Sequence, residues 1–359
     1  MPRPNETTYQ QTLSLGNDPE LRRRFMVLDE PLQGNLRFGL LLEVLDKIAE
    51  ETALKYVNLF HPDARVVTAA IDDIFVRHAA DVNRDIVFHA RINHVGRSSL
   101  VVGIRVEQPG EPVNHIASCH FTMVARSGSG GQECSVPLPP LEYLDADEQR
   151  RAGKAAASRA EYQRQQLLIS EPPSREEYEM LDKLHHAQEE PGLTGRRVQD
   201  ETLFRGYKAG RLVTDSWERM YPEKENVPRS IFGGYLIRRA YELSAICSEL
   251  VAPDRSIIAA VNRINFYEPV RMGDKLHYTA QVVYTQDSFV CVEANIERIS
   301  ADRTSKALSN SCLFTFVNVD RNLTHRTVPR VYPTTYAEEA RYLAAHRSYK
   351  ALIEHYRII

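Results

Sequence analysis

The stretch Phe232-Gly-Gly-Tyr-Leu-Ile-Arg-Arg-Ala-Tyr-Glu-Leu243 places two adjacent glycines directly before a run in which apolar residues recur at helical spacing. A second stretch of the same character, Arg37-Phe-Gly-Leu-Leu-Leu-Glu43, lies 195 positions earlier. Apolar residues that recur every three or four positions form one face of an amphipathic helix. The two stretches therefore predict two equivalent helices, from about Leu36 to Tyr56 and from about Gly234 to Leu250.

Further blocks of sequence repeat in the same order. Cys119-His-Phe-Thr-Met-Val124 is echoed by Cys312-Leu-Phe-Thr-Phe-Val317 at an offset of 193 positions, and Ala69-Ala-Ile-Asp-Asp-Ile74 by Ala259-Ala-Val-Asn-Arg-Ile264 at an offset of 190. A period of this length is too long for a solenoid repeat, which spans tens of residues. The chain is therefore predicted to contain one domain twice.

Strands are predicted after each helix, because apolar and polar residues alternate there. The alternating apolar residues are Phe88, Ala90 and Ile92 in the first half, and Val292, Ala294 and Ile296 in the second. Such alternation is typical of antiparallel strands with one face in solvent. Each half should consist of one helix and an antiparallel sheet, which is the α+β class.

The segments around the two repeats give the predicted domain organisation. A charged segment rich in Ala, Gln, Glu and Arg follows Pro137-Leu-Pro-Pro140, and a last helix is indicated from Tyr336 to Tyr356. The predicted parts are an N-terminal extension (1–29), a first domain (30–137), a helical linker (138–200), a second domain (201–335) and a C-terminal helix (336–359).

Composition excludes several classes of protein. The 359 residues are 43% hydrophobic and 26% charged, with 45 basic and 48 acidic residues and a net charge of −3, so nucleic acid is not an expected partner. No apolar run reaches the roughly 18 to 20 residues of a membrane span. The five cysteines include no Cys-x-x-Cys pair, so neither a metal site nor a disulfide framework is expected.

The N-terminal residues bear on the compartment. Arg3 and the run Arg22 to Arg24 are basic, but Glu6 and Asp18 interrupt them and no apolar signal region follows. The cytoplasm is therefore expected, with the mitochondrial matrix as the alternative.

Taken together, these motifs resemble one family. They are the glycine-turn helices at Arg37 and Phe232, Leu45-Asp46, His94-Val-Gly-Arg-Ser-Ser99, and Phe266-Tyr-Glu-Pro-Val-Arg-Met-Gly-Asp274. Over roughly residues 30 to 335 the chain resembles the tandem-hotdog acyl-CoA thioesterases of the mitochondrial type called acyl-CoA thioesterase nine. The resemblance implies two hotdog domains related by a pseudo-two-fold axis, each a long helix wrapped by an antiparallel sheet.

The resemblance also implies an activity, the hydrolysis of fatty acyl-CoA to free fatty acid and coenzyme A. Acyl-CoA would be the partner, no separate cofactor would be needed, and the tandem chains could associate as a homo-oligomer. Two alternatives stay open: release of an acyl or polyketide chain from a carrier thioester, and non-catalytic binding of acyl-CoA.

Thioester hydrolysis needs a carboxylate that activates water and N–H donors for the developing oxyanion. Gly39, Gly233 and Gly234 lie where helices begin, and free N–H groups there favour negative charge. Asp46 lies seven residues after Gly39, about 10 Å along the helix, so it cannot reach its own helix start. Under two-fold pseudosymmetry it would face the loop from Ser230 to Gly234 of the other half.

In the family, the catalytic pair is an asparagine or similar amide before the helix and an acid within it. Asn35 and Asp46 match these positions in the first half, whereas Ser230 takes the amide position in the second. The equivalent of Asp46 is Tyr241, and the nearest acid is Glu242. Asp46 with Ser230, Asn35 with Glu242, or one degenerate site therefore all stay open, and we favour the Asp46 site.

Coenzyme A carries phosphates, which basic and hydroxyl side chains bind. The turn Arg97-Ser98-Ser99 offers both, whereas its counterpart in the second half reads Asp287-Ser288-Phe289. Arg97, Ser98 and Ser99 are therefore the expected coenzyme A contacts.

Overall fold

A computed structural model describes residues 2–30, 32–128, 134–168, 172–187, 207–222, 225–227 and 230–357. Both predicted domain helices are present, and each lies within two residues of its predicted start and end. The helices are α1 (Pro19–Arg24), α2 (Phe38–Asn58), α3 (Ala146–Leu168), α4 (Arg175–Ala187), α5 (Gly233–Ser248) and α6 (Tyr336–Arg357).

Most of the strands form one large antiparallel sheet. The strands are β1 (Tyr9–Leu13), β2 (Arg65–Ile71), β3 (Ile74–Val76), β4 (Ile86–Val95), β5 (Ser99–Gln108), β6 (Asn114–Ser127), β7 (Cys134–Ser135), β8 (Tyr207–Lys208), β9 (Val213–Arg219), β10 (Glu225–Val227), β11 (Ser230–Ile231), β12 (Arg255–Phe266), β13 (Lys275–Gln286), β14 (Phe289–Ile299), β15 (Lys306–Val319) and β16 (Val331–Tyr332). The main sheet runs in the order β1-β4-β5-β6-β2-β12-β15-β14-β13-β9. The predicted α+β class is confirmed.

The two halves of the chain share this sheet. β2 of the first half pairs antiparallel with β12 of the second, with Ile71 opposite Ile264 and Ala70 opposite Asn265. β3 adds to the join, since it pairs with both β12 and β6. The sheet is therefore continuous across the boundary between the repeats.

Each half wraps its part of the sheet around one long helix. On α2, Leu41, Leu42 and Leu45 have no exposed surface, because the apolar face of the helix lies against the sheet. α5 is buried through Leu236, Ile237 and Ala240, and α2 and α5 also pack against each other. This helix-to-helix contact brings the start of α5 beside the middle of α2.

Segments outside the two repeats complete the fold. β1 lies within the expected extension 1–29, yet it pairs with β4 of the first half. α3 and α4 lie in the expected linker, of which residues 169–171 and 188–200 are outside the described part. α4 is tied to α6 by Glu177, which receives bonds of 2.7 Å from Arg347 at both carboxylate oxygens. Within the described ranges, no helix is long and apolar enough to cross a membrane.

Candidate active site

Asp46 of α2 is buried at the start of α5, a helix of the other half of the chain. Its exposed fraction is 1%. Asp46 Oδ2 accepts a hydrogen bond of 2.7 Å from the backbone N–H of Gly234, and Oδ1 accepts one of 2.6 Å from the hydroxyl of Thr68 on β2. The structure therefore brings Asp46 to the glycine loop that the pseudo-two-fold argument indicates.

The first turn of α5 needs an acceptor from outside the helix. The first N–H groups of any helix lack intrahelical partners, and the residue before α5, Phe232, has no side-chain acceptor. Asp46 supplies that acceptor across the interface between the halves. The partial positive charge of a helix start also favours a carboxylate there.

Two glycines permit this close approach. A β-carbon at Gly234 would lie 3.1 Å from Asp46 Cβ and 2.8 Å from Phe232 Cε1, a distance that side-chain carbons do not adopt. One at Gly233 would lie 3.4 Å from Asp46 Oδ2 and 3.0 Å from Phe266 Cε1. Any larger residue at position 234 would therefore push Asp46 away from the helix start.

The burial of Asp46 changes its acidity. Loss of hydration raises the pKa of the Asp46 carboxyl from 3.8 to about 7. The hydrogen bonds from Thr68 and Gly234 lower this pKa, and the charges of Glu50 and Glu43 raise it. The loss of hydration is the largest of these effects. A carboxyl with a pKa near neutrality can both take up and release a proton under physiological conditions.

The pseudo-symmetric counterpart of this site, called the mirror site below, consists of Arg37, Gly39, Tyr241, Glu242 and Ile258. Tyr241 takes the position of Asp46, and its ring packs against the start of α2: a β-carbon at Gly39 would lie 3.0 Å from Tyr241 Cδ1. At the offset of 190 positions, Ile258 takes the position of Thr68. The mirror site therefore lacks both the acid and the hydroxyl that hold the Asp46 site together.

Glu242 belongs to a network of ion pairs. Arg37 Nη2 donates to Glu242 Oε1 at 2.6 Å, while Arg238 and Arg239 donate to the same carboxylate at 3.2 Å. Arg238 also bonds Glu43 at 3.0 Å. Burial alone would raise the pKa of Glu242, but the Arg37 bond and the Arg238 charge hold it below its ordinary value. Such a carboxylate stays ionised and weakly basic.

Asn35 is buried, and its amide is fully used by a nearby loop. Its Oδ1 accepts bonds from the N–H groups of Val27 at 3.2 Å and Leu28 at 2.9 Å. Its Nδ2 donates to the carbonyls of Leu28 at 2.7 Å and of Glu30. The Asn35 amide therefore holds the segment before α2 in place.

The hairpin before α5 contains the remaining predicted residue. The backbone of Ser230 lies in β11, which pairs with β10, and the side chain of Ser230 is outside the described part. β10 also contains Asn226, an amide-bearing residue before α5 that the alignment of the halves passes over. The counterpart of Asn35 by position is Ser230, so the repeat does not point to Asn226.

The predicted coenzyme A contacts lie at the turn from β4 to β5. Gly96 N–H donates to the Ser99 carbonyl at 2.7 Å, and Arg97 is exposed. Ser99 pairs with Val124 of β6, which pairs with Val67 of β2. At 4.7–4.9 Å between strands, this register places the turn about 10 Å from the part of β2 that contains Thr68.

Known proteins share the sequence pattern of both halves. The model of the thioesterase superfamily matches residues 33–113 and 230–303, so it occurs once around each glycine-turn helix. Mouse mitochondrial acyl-coenzyme A thioesterase 9 is 28% identical over 364 residues, which cover 98% of this chain and 79% of the relative. The chain has the tandem-hotdog fold and is similar to the thioesterase superfamily.

Two further comparisons agree with this tandem-hotdog assignment. Mouse mitochondrial acyl-coenzyme A thioesterase 10 is 27% identical over 350 residues, covering 95% of this chain and 76% of the relative. The crystal structure of a provisionally named oleoyl thioesterase from Lactobacillus plantarum matches with a TM-score of 0.50 at 8% identity, covering 87% of this chain and 95% of that one. The second likeness bears on the fold alone, and it confirms two hotdog units in one chain.

Thr68 is the residue of the tandem-hotdog site that sequence reasoning missed. It lies directly before the repeated block Ala69 to Ile74, and its counterpart Ile258 cannot make a hydrogen bond. The change from Thr68 to Ile258 between the halves is a sequence signal for this position, but it does not indicate the contact with Asp46.

Proposed function

We propose that this protein hydrolyses fatty acyl-CoA to fatty acid and coenzyme A at the Asp46 site. The observation that carries the proposal is the buried Asp46 carboxyl held at 2.7 Å from the N–H of Gly234, with its pKa raised to about 7. The names of the relatives, acyl-coenzyme A thioesterases 9 and 10, support the substrate class.

In the proposed mechanism, ionised Asp46 takes a proton from a water molecule. Each carboxylate oxygen keeps a second lone pair after accepting its bond from Thr68 or Gly234, so the bound carboxylate can still act as a base. The hydroxide attacks the thioester carbon and forms a tetrahedral intermediate. Collapse of the intermediate breaks the carbon–sulfur bond, and the protonated Asp46 returns its proton to the leaving thiolate.

The start of α5 supplies the electrostatic stabilisation. Since Gly234 N–H orients Asp46, we assign Gly233 N–H as the donor to the thioester oxygen, where negative charge develops. A preorganised N–H donor of this kind contributes roughly 100- to 1000-fold to the rate of acyl transfer. In the mirror site, Gly39 has the position of Gly234 and Phe38 that of Gly233.

Several observations favour the Asp46 site over the mirror site. Glu242 is bound by three arginines, and its lowered pKa makes it a poor base. The Asn35 amide is occupied by its own loop. For the amide of the catalytic pair we therefore propose Asn226 ahead of Ser230, since both precede α5 and only Asn226 carries an amide.

The coenzyme A moiety is assigned to the turn of Arg97, Ser98 and Ser99. The turn lies two strands from Thr68, and its exposed guanidinium can pair with phosphate. The pantetheine arm would span the distance between the turn and Asp46.

The test is an acyl-CoA panel of varied chain length with a thiol-reactive dye. We expect free thiol from at least one chain length, and much less from Asp46→Ala than from Glu242→Ala. No thiol from any acyl-CoA would refute the proposal. Thiol released only from an acyl carrier protein would support the carrier alternative, and tight binding without turnover the non-catalytic one.

Compartment, assembly and cofactor use are also proposals. The names of the relatives place acyl-coenzyme A thioesterases 9 and 10 in mitochondria, which favours the matrix over the cytoplasm. We further propose that hydrolysis needs no cofactor and that the chains self-associate. Imaging of the tagged full chain, assay after chelation and analytical ultracentrifugation test these three points.

A further inference from the structure

A cavity of about 600 Å³ lies at the mirror site, away from Asp46. It is lined by the start of α2, including Arg37 and Gly39, and by the α5 residues Tyr241 and Glu242. Pockets that hold small molecules and cofactors measure roughly 300 to 1,000 Å³. The mirror site has therefore lost the acid but kept a volume that suits a ligand.

The cavity has both apolar and polar lining. Apolar lining comes from both halves of the chain, and includes Leu36, Phe38, Ile116, Leu243, Ile257 and Ile258. The polar lining includes Ser216, Arg239 and Tyr278. This mixed lining suits an amphipathic ligand with an apolar chain and a hydrogen-bonding head.

The hydroxyl of Tyr278, on β13, indicates how the head of that ligand would be bound. The residue is 2% exposed, and its hydroxyl has no hydrogen-bond partner within the described part of the chain. Buried hydroxyls are normally paired, and an unpaired one is a candidate ligand contact. Tyr278 can donate to a carbonyl oxygen of a molecule in the cavity.

The charged side chains beside the cavity favour a ligand whose hydrogen-bonding head is neutral over one whose head is anionic. The guanidinium groups of Arg37, Arg238 and Arg239 are matched by the carboxylates of Glu43, Glu218 and Glu242, with contacts of 2.6 to 3.4 Å. Because each arginine already faces a carboxylate, the cluster offers no net positive charge to a fatty-acid carboxylate. The uncharged carbonyl group of a thioester is the better match for this part of the cavity.

We propose that the mirror-site cavity binds a second fatty acyl-CoA as the intact thioester. Tyr241 and Ile258 replace Asp46 and Thr68 there, so neither of those positions holds a base that could activate water. The choice of acyl-CoA as the occupant rests on the proposed function. α5 is common to both sites. Its first turn holds Asp46, and the α5 residues that line the cavity are Arg239, Tyr241, Glu242, Leu243, Ala245 and Ile246.

Binding stoichiometry on the full chain tests this inference. The probe is S-(2-oxoheptadecyl)-CoA, which keeps the carbonyl of palmitoyl-CoA but cannot be hydrolysed, and the measurement is isothermal titration calorimetry. We expect two molecules per chain in the wild type and one in Ala245→Trp, which fills the cavity from α5. Ala351→Trp, at an exposed position of α6, is the matched control and should bind two.

A milder variant covers the case in which Ala245→Trp does not fold, as judged by circular dichroism. Tyr278→Phe removes only the hydroxyl and should weaken one of the two sites by about two- to tenfold. One molecule per chain in the wild type, or two unchanged sites in both variants, would overturn the inference. Palmitate that fills the second site in place of the probe would overturn the choice of thioester. Wild-type hydrolysis is measured separately, so failure of the proposed function is distinguishable.

Discussion

Asp46 and Gly234 are 188 positions apart in the chain, yet Asp46 Oδ2 lies 2.7 Å from the N–H nitrogen of Gly234. The carboxylate serves as the acceptor for the start of a helix that belongs to the other repeat. Through this bond Asp46 stabilises the start of α5, in addition to its proposed role as a base. Substitutions at and around Asp46 can separate the two roles.

Asp46→Asn tests the chemical task. The asparagine oxygen can still accept the Gly234 bond, but it cannot take a proton from water. We expect kcat/KM to fall by at least about 100-fold. Asp63→Asn, at an exposed position after α2, is the matched control and should retain activity. Near-normal turnover in Asp46→Asn would remove Asp46 from the mechanism.

The acidity of Asp46 predicts a pH profile. Because its pKa lies at about 7, the ionised fraction rises as the pH rises through that value. We expect kcat/KM to increase with pH and to level off above about pH 8. Thr68→Val removes a hydrogen bond that lowers this pKa, so the midpoint should move to higher pH. An unmoved midpoint in Thr68→Val, or a shift in the exposed control Thr304→Val, would contradict this assignment.

The same pKa predicts a dependence of stability on pH. The folded-state pKa of Asp46 lies above its unfolded value of 3.8, so folding favours the protonated form. The wild type should therefore lose stability as the pH rises from about 4 to 8. Asp46→Asn avoids the cost of ionising a buried carboxyl. Its free energy of unfolding should exceed that of the wild type by about 2 to 4 kcal/mol at pH 8, and by less at pH 5. Urea unfolding at both pH values measures the difference, and equal differences would argue against a raised pKa.

Gly234→Ala tests the close approach of the two halves. The new methyl group would lie 2.8 Å from Phe232 Cε1 and 3.1 Å from Asp46 Cβ. Overpacking of this kind costs about 1 to 3 kcal/mol, and we also expect a loss of activity of tenfold or more because Asp46 is displaced. The control is Gly153→Ala on α3, where a β-carbon meets nothing within 4 Å. This substitution should stabilise the helix by roughly 0.5–1 kcal/mol.

Arg97→Ala tests the coenzyme A assignment. Loss of one exposed phosphate contact should raise KM for acyl-CoA by about two- to tenfold, with kcat little changed. KM for an acyl-pantetheine substrate, which lacks the nucleotide phosphates, should stay the same. Arg303→Ala, in an exposed turn of the second half, should change neither value. An equal rise in KM for acyl-CoA and for acyl-pantetheine would show that Arg97 does not bind the nucleotide phosphates.

The parts that sequence predicted are those with a local signal. α2 and α5 were predicted within two residues because apolar spacing defines a helix locally. The approach of Asp46 to Gly234 was predicted from symmetry, which requires only that the repeats pack as a dimer does. The Arg238 and Arg239 bonds to Glu242 are also local, since residues three and four apart share a helix face.

The parts that sequence could not predict depend on contacts between distant elements. Thr68 meets Asp46 only because β2 crosses above α2, and no spacing rule contains that geometry. Arg37 meets Glu242 across the two halves, which turns a local ion pair into a network. The four bonds of the Asn35 amide likewise depend on the path of the preceding loop.

The unbroken pairing of β2 with β12 has a consequence for how this protein could evolve. In a homodimer one gene encodes both copies, so any substitution at the acid position alters the two symmetric sites together. In a tandem chain each copy has its own codon, so one helix can keep Asp46 while the other holds Tyr241. The acid position of one half can therefore change while the other half keeps its carboxylate, and the pairing of β2 with β12 keeps both halves in one folded unit.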